Sequence, residues 1–164
     1  MVAPQDAEIA KLGAALNATY IAYGGEGKKK AERQVAQDSN AASAGQGAGV
    51  QRAMAKASAN YKNDDWDLVD ASKSGKVAVG AVDKEALPEE MRGMTEDQRK
   101  DHVAKMGAKR DELRTQIQKL ESERRGYVAS EEKKQAAKGG AATLDHAMLE
   151  TVHAQAAKAA YTFE

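Results

Sequence analysis

The chain of 164 residues has no cysteine, which excludes disulfides, thiolate zinc sites and cysteine nucleophiles. Cysteine-free chains suit reducing and oxidising compartments equally, so this absence does not locate the protein. Bulky apolar residues are also scarce: Leu, Ile, Val and Phe number 22 against 34 Ala, with one Trp and five Tyr. There is material for one modest domain and little core. Charge of a single sign is missing too. The 25 Lys and Arg balance 25 Asp and Glu, which excludes a general polyanion binder, because affinity for nucleic acid rests on an excess of cations neutralising phosphates. No apolar run approaches the roughly 18 residues of a membrane span, and Met1-Val2-Ala3-Pro4-Gln5-Asp6 lacks the apolar stretch of a signal peptide. Disorder would require high net charge alongside low large-apolar content, and only the second condition holds. What remains is rich in Ala, Glu, Lys, Gln and Arg, all strong helix formers. The expected fold class is therefore mainly α.

In the first half, Ile9, Leu12 and Leu16 at helical spacing predict a short amphipathic helix from Asp6, a candidate N-cap, to Leu16. Thr19–Tyr23 is β-branched and aromatic and reads as a strand closed by Gly24-Gly25; Val77–Val82 is the other β-branched run and its candidate partner. Residues 1–40 thus read as helix, strand and helix, the last from Lys28 to about Asn40. Residues 41–49 form a small-residue linker at which the chain bends. Residues 50–94 hold short helices and loops around Trp66, beginning with a helix from Val50 to about Tyr61. Asn63-Asp64-Asp65 then offers a cap for a turn carrying Trp66, Leu68 and Val69. Trp66 is the expected anchor between short elements, as it has the most apolar surface to bury.

The clearest periodicity follows Leu87-Pro88. Thr95-Glu96-Asp97-Gln98 matches a capping box. Val103, Met106, Leu113, Ile117, Leu120 and Tyr127 fall on heptad a and d positions, with Arg110 and Arg124 at intervening a positions. A last helix is expected from Thr143 to about Ala160, after a break at Lys138-Gly139-Gly140, with Leu144, Met148, Leu149, Val152 and Ala156 on its apolar face. Residues 95–164 then read as a long helical hairpin or coiled-coil-like pair that buries both seams. Since Arg at two a positions weakens a parallel dimer, an intramolecular hairpin is at least as good a solution as self-association.

Motifs with chemistry in them are few. Asp70-Ala71-Ser72-Lys73-Ser74 has the D-x-S-x-S oxygen set that suits a hard divalent cation, but the preceding Asp65–Val69 is broken by charge, and no metal ligand is assigned. Gly24–Lys30 sits where a phosphate loop would, yet lacks the P-loop spacing. Glu150 and His153 make a single Glu-x-x-His beside His146, where a metal bundle needs two such helices. The serines show no nucleophile elbow. No cofactor and no small-molecule substrate is expected. Nucleic-acid binding through Lys28–Lys30 and Arg33 is disfavoured by the neutral total charge.

Asp6–Leu12, Leu16–Gly24, Gln37–Ala41, Trp66–Ala71 and Leu87–Thr95, taken together, resemble the C-terminal region of bacterial proteins with a von Willebrand factor type A domain, in the part that follows that domain. The resemblance extends to the closing Tyr161-Thr162-Phe163. It implies a piece of a longer protein whose metal-binding α/β domain lies upstream, so the adhesion-site role is not carried onto Asp70. It also implies an extracytoplasmic setting. The expected function is a non-enzymatic accessory or assembly region, contacting a protein partner or a second copy through the face formed by Val103, Met106, Leu113, Ile117, Leu120 and Tyr127. The alternative is a divalent-cation site at Asp70, Ser72 and Ser74.

Overall fold

A computed structural model describes residues 1–137 and 144–158 of the chain. It is mainly α-helical, as the composition requires: α1 Asp6–Asn17, α2 Gly27–Ser43, α3 Gln46–Ala57, α4 Leu68–Lys73, α5 Glu89–Arg92, α6 Glu96–Ala137 and α7 Leu144–Lys158, with 3-10 turns at Val79–Ala81 and Lys84–Ala86. The division into units falls away from the expected linkers. Met1–Arg125 forms one compact unit that takes in α1 to α5 and most of α6, and the second begins at Gly126.

In the first unit the small residues of 41–49 do not make a long linker. Helix α2 continues to Ser43 and α3 starts at Gln46, so the bend narrows to Ala44-Gly45. Gly45 takes φ 129°, which an L side chain rarely adopts, and this lets the chain reverse in two residues. Helices α1 and α3 approach so closely that a Cβ on Gly13 would lie 2.5 Å from the Cβ of Ala53. Ile9, Leu12 and Leu16 of α1, Val50, Ala53 and Ala57 of α3, and Leu113 and Ile117 of α6 form one apolar cluster. Ile21, Leu68, Val69, Val79, Leu87, Met91 and Val103 form a second.

Among the described residues the expected strand pair is replaced by a single β-bridge, between Ala22 and Asp67. Thr19–Tyr23 is paired locally: Tyr23 N donates to Trp66 O at 2.9 Å, and Leu68 N donates to Ile21 O at 2.8 Å. The ladder stops there because Asp67 is already the N-cap of α4, its side chain accepting from Asp70 N. Val77–Val82 offers no second strand, since a 3-10 turn occupies Val79–Ala81. Trp66 is buried as expected and stacks on Tyr20 with ring centroids 5.6 Å apart.

The capping box forms: Thr95 N donates to Gln98 Oε1 at 2.9 Å and Gln98 N donates to Thr95 Oγ1 at 3.3 Å. Asp6 does not cap α1 from outside. It is the first helical residue, and its Oδ2 accepts from Ala3 N at 3.0 Å.

In the second unit, the expected seam of α7 is exposed rather than buried: Met148, Leu149 and Val152 are 58%, 59% and 49% exposed. Ala156 is half-buried. The break at Lys138–Gly140, the Thr143 cap, the end at Ala160 and the closing Tyr161–Phe163 lie outside the described residues, as do the side chains of Leu144 and His146.

Candidate functional site

The heptad face is the first place to look for function, and most of it is already occupied. Val103, Leu113 and Ile117 are buried in the chain's own clusters, with Met106 and Leu120 packed against them. An apolar stripe on a 42-residue helix must be covered, and α1, α3, α4 and their connections cover it. The expected interaction face is thus largely an internal core face; Tyr127, in the second unit, is half-buried.

Arg110 occupies the a position between the two clusters and is fully buried. All five of its N–H groups have acceptors. Nε donates to Thr19 Oγ1 at 3.0 Å, Nη1 to Asp67 Oδ2 at 2.6 Å and Asp70 Oδ1 at 2.9 Å, and Nη2 to Thr19 O at 2.5 Å and Asp67 Oδ1 at 3.1 Å. The guanidinium also lies 4.1 Å from the Tyr20 ring centroid, in cation–π contact. Burial works against its charge, but hydrogen bonding and attraction to Asp67, then Asp70, outweigh that and raise its pKa further. Burial raises the Tyr20 phenol to about 12, against the opposing pull of Arg110. Arg124, at the next intervening a position, pairs with Asp6 at 2.6 Å. Both arginines that weaken a parallel coiled coil are thus matched within the chain.

This network decides the fate of the D-x-S-x-S motif. Asp70 Oδ1 accepts from Arg110 and Oδ2 accepts from Asn63 N at 2.9 Å, while Ser74 Oγ donates to Ala71 O at 3.1 Å. A cation there would have to displace a buried guanidinium from the carboxylate. Among the described residues no cluster of three or more acidic or imidazole groups has the geometry to hold a metal ion.

A second network closes the cleft between α1, α2 and α3. Lys56, 1% exposed, donates from Nζ to Gly13 O at 3.1 Å, Asn17 Oδ1 at 2.7 Å and Asp38 Oδ2 at 2.5 Å. Arg52 Nε donates to Asp38 Oδ1 at 2.9 Å. Burial pushes the Asp38 carboxyl up, but hydrogen bonds from Lys56, Asn17 and Arg52 overcome this and hold it below the usual aspartate range. Burial pushes the Lys56 amine down, and Asp38 offsets only part of that. The groove above has a volume of about 270 Å³ and small-residue walls that include Ala10, Ala14, Ala42 and Gly49. All three protons of Lys56 are engaged, so the charges brace the helices around the groove.

Of the remaining motif residues, Lys30 pairs with Asp65 and Lys29 lies 3.6 Å from Glu26, which neutralises much of the basic start of α2. Sequence reading missed Arg110, Asp67, Lys56 and Asp38 as a group. A signal for the first pair was present: a basic a position inside an apolar seam calls for buried acids, and Trp66–Asp70 supplies two within an otherwise apolar stretch. No family model, curated protein or solved structure matches the chain.

Proposed function

We propose that this chain is a non-enzymatic assembly region, of the kind that follows a von Willebrand factor type A domain, and that its contact surface is the apolar face of α7 rather than the α6 seam. The observation that carries this is the exposure of Met148, Leu149 and Val152 on a chain that has few large apolar side chains and buries most of the others. Met148, Val152 and Ala156 recur every four residues and make a stripe that fits the side of another helix. The partner is a second copy of the same helix. Sedimentation equilibrium across a concentration series should show the mass rising toward a dimer. The double variant Met148→Asp, Val152→Asp should stay monomeric with an unchanged circular dichroism spectrum. A wild-type chain that remains monomeric up to millimolar concentration overturns the proposal.

A further inference from the structure

A separate cavity of about 180 Å³ lies between one face of α2, which presents Lys30, Arg33, Gln34 and Gln37, and the segment carrying Tyr61, Asn63 and Trp66. Its hydrogen-bonding polarity is one-sided. Asn63 Oδ1 accepts from Trp66 Nε1 at 3.2 Å, which fixes the orientation of that amide and makes its Nδ2 a donor. Gln34 Oε1 accepts from the Tyr61 hydroxyl at 3.0 Å, and Gln37 Oε1 accepts from Arg52 Nη2 at 3.0 Å. The amide carbonyls around the cavity are therefore committed, and donors are left over. Asn63 Nδ2 is buried without a partner, the kind of unmet donor that is costly to leave desolvated. Arg33 is exposed and brings a five-donor fork that no acidic side chain of the described residues engages. Lys30 adds a cation whose charge is shared with Asp65.

We infer that this cavity is a binding site for a small oxyanion, a phosphate or carboxylate group, with Arg33 as its principal ligand and Asn63 Nδ2 and Gln37 Nε2 as supporting donors. The volume equals about six waters at ~30 Å³ each, room for one such group and its residual hydration. An oxyanion supplies only acceptors, which is what these donors lack, and hydrogen bonds to a charged acceptor are stronger than those to water. This site is independent of the assembly role of α7.

Trp66 is the single tryptophan of the chain and helps line the cavity, so its fluorescence reads occupancy directly. Titration with inorganic phosphate, and separately with acetate, is carried out at constant ionic strength held with chloride. At least one should give a saturable change. Arg33→Gln should weaken it tenfold or more, while Lys28→Gln, on the same helix but outside the cavity, should leave it within twofold. Tighter binding of phosphate assigns the site to a phosphate-bearing ligand, and tighter binding of acetate to a carboxylate. Arg33 is exposed, so its variant should fold, and unchanged circular dichroism checks this. Absence of saturation with both anions, or equal affinity in Arg33→Gln, overturns the inference.

Discussion

Replacing Arg110 by Met tests the central feature of the fold. The side chain volume is nearly kept and the apolar contacts survive, but five hydrogen bonds are lost and two carboxylates lose their counter-charge, that of Asp67 at 0% and Asp70 at 8% exposure. Breaking one side of a buried pair costs about 3–5 kcal/mol, because the surviving charge stays desolvated. Asp67 keeps hydrogen bonds from Ile21 N and Asp70 N, and Asp70 keeps one from Asn63 N, so the expected loss lies near the middle, about 4 kcal/mol. Typical domain stabilities are about 5–15 kcal/mol, so the variant should fold with a much reduced margin. Urea unfolding followed by Trp66 fluorescence should show a midpoint lowered by about 2 M, taking a slope of about 2 kcal/mol per molar. Adding Asp70→Asn to Arg110→Met should recover part of the loss by removing one stranded charge. Arg110→Lys should cost about 2 kcal/mol, since an ammonium has at most three donors and no planar fork. A variant Arg110→Met within 1 kcal/mol of wild type, with the same slope, would refute the reasoning.

Gly13→Ala should destabilise by about 1–3 kcal/mol in the same assay, because its Cβ would meet the Ala53 Cβ at 2.5 Å and force α1 and α3 apart. Thr95→Ala removes one half of an exposed capping box and should cost about 1 kcal/mol, readable as a small drop in thermal midpoint. Stability should also fall in acid. Asp6 and Asp38 both titrate below the ordinary aspartate value, so their contribution is complete above about pH 4 and is lost as pH drops through the lower folded-state values, where the unfolded chain binds more protons. Asp38→Asn should be less stable than wild type at pH 7 and show a shallower decline between pH 4 and 2; an equally steep decline would locate the acid sensitivity elsewhere.

Helices α1 and α6 were legible in the sequence by their apolar period and, for α6, its cap, whereas the cap expected at Asn63–Asp65 was misplaced, since Asp67 caps α4. The Ile9–Leu12–Leu16 spacing, the Thr95–Gln98 box and the heptads of α6 all correspond to helices, because those patterns are local and each carries its own stabilisation. The strand reading of Thr19–Tyr23 failed because β-propensity needs a partner of adequate length, and Asp67 ends the only one available by starting α4. The heptad seam was visible, but its partner was not: whether such a stripe faces another chain or its own depends on contacts such as Ile117 with α1 and α3, far away in sequence. The buried networks were the least visible. Arg110 reaches Thr19 across 91 positions and Lys56 reaches Gly13 across 43, and no local spacing announces either.

The placement of Arg110 also explains how a helix with so few large apolar residues keeps one register. Its seam reads Val103, Met106, Arg110, Leu113, Ile117, Leu120, Arg124, and sliding by one heptad changes little at the d positions Met106, Leu113 and Leu120, where one aliphatic residue replaces another, whereas the a positions alternate aliphatic residue and arginine. Packing of the d residues alone therefore discriminates weakly between registers, in the way loosely specified cores do. The same slide, about 10 Å at 1.5 Å per residue, would set Val103 or Ile117 opposite Asp67 and Asp70 and drive Arg110 into an apolar cluster. Both halves of that exchange strand charges without partners, at several kcal/mol each. A slide of two heptads would bring Arg124 to the two aspartates, but it would take Arg124 from Asp6, which is 1% exposed and has no other cation bonded to it among the described residues. Two arginines fourteen residues apart, each with its own buried acid, fix the 96–125 part of α6 in one position within the first unit, where the d-position contacts alone would allow several.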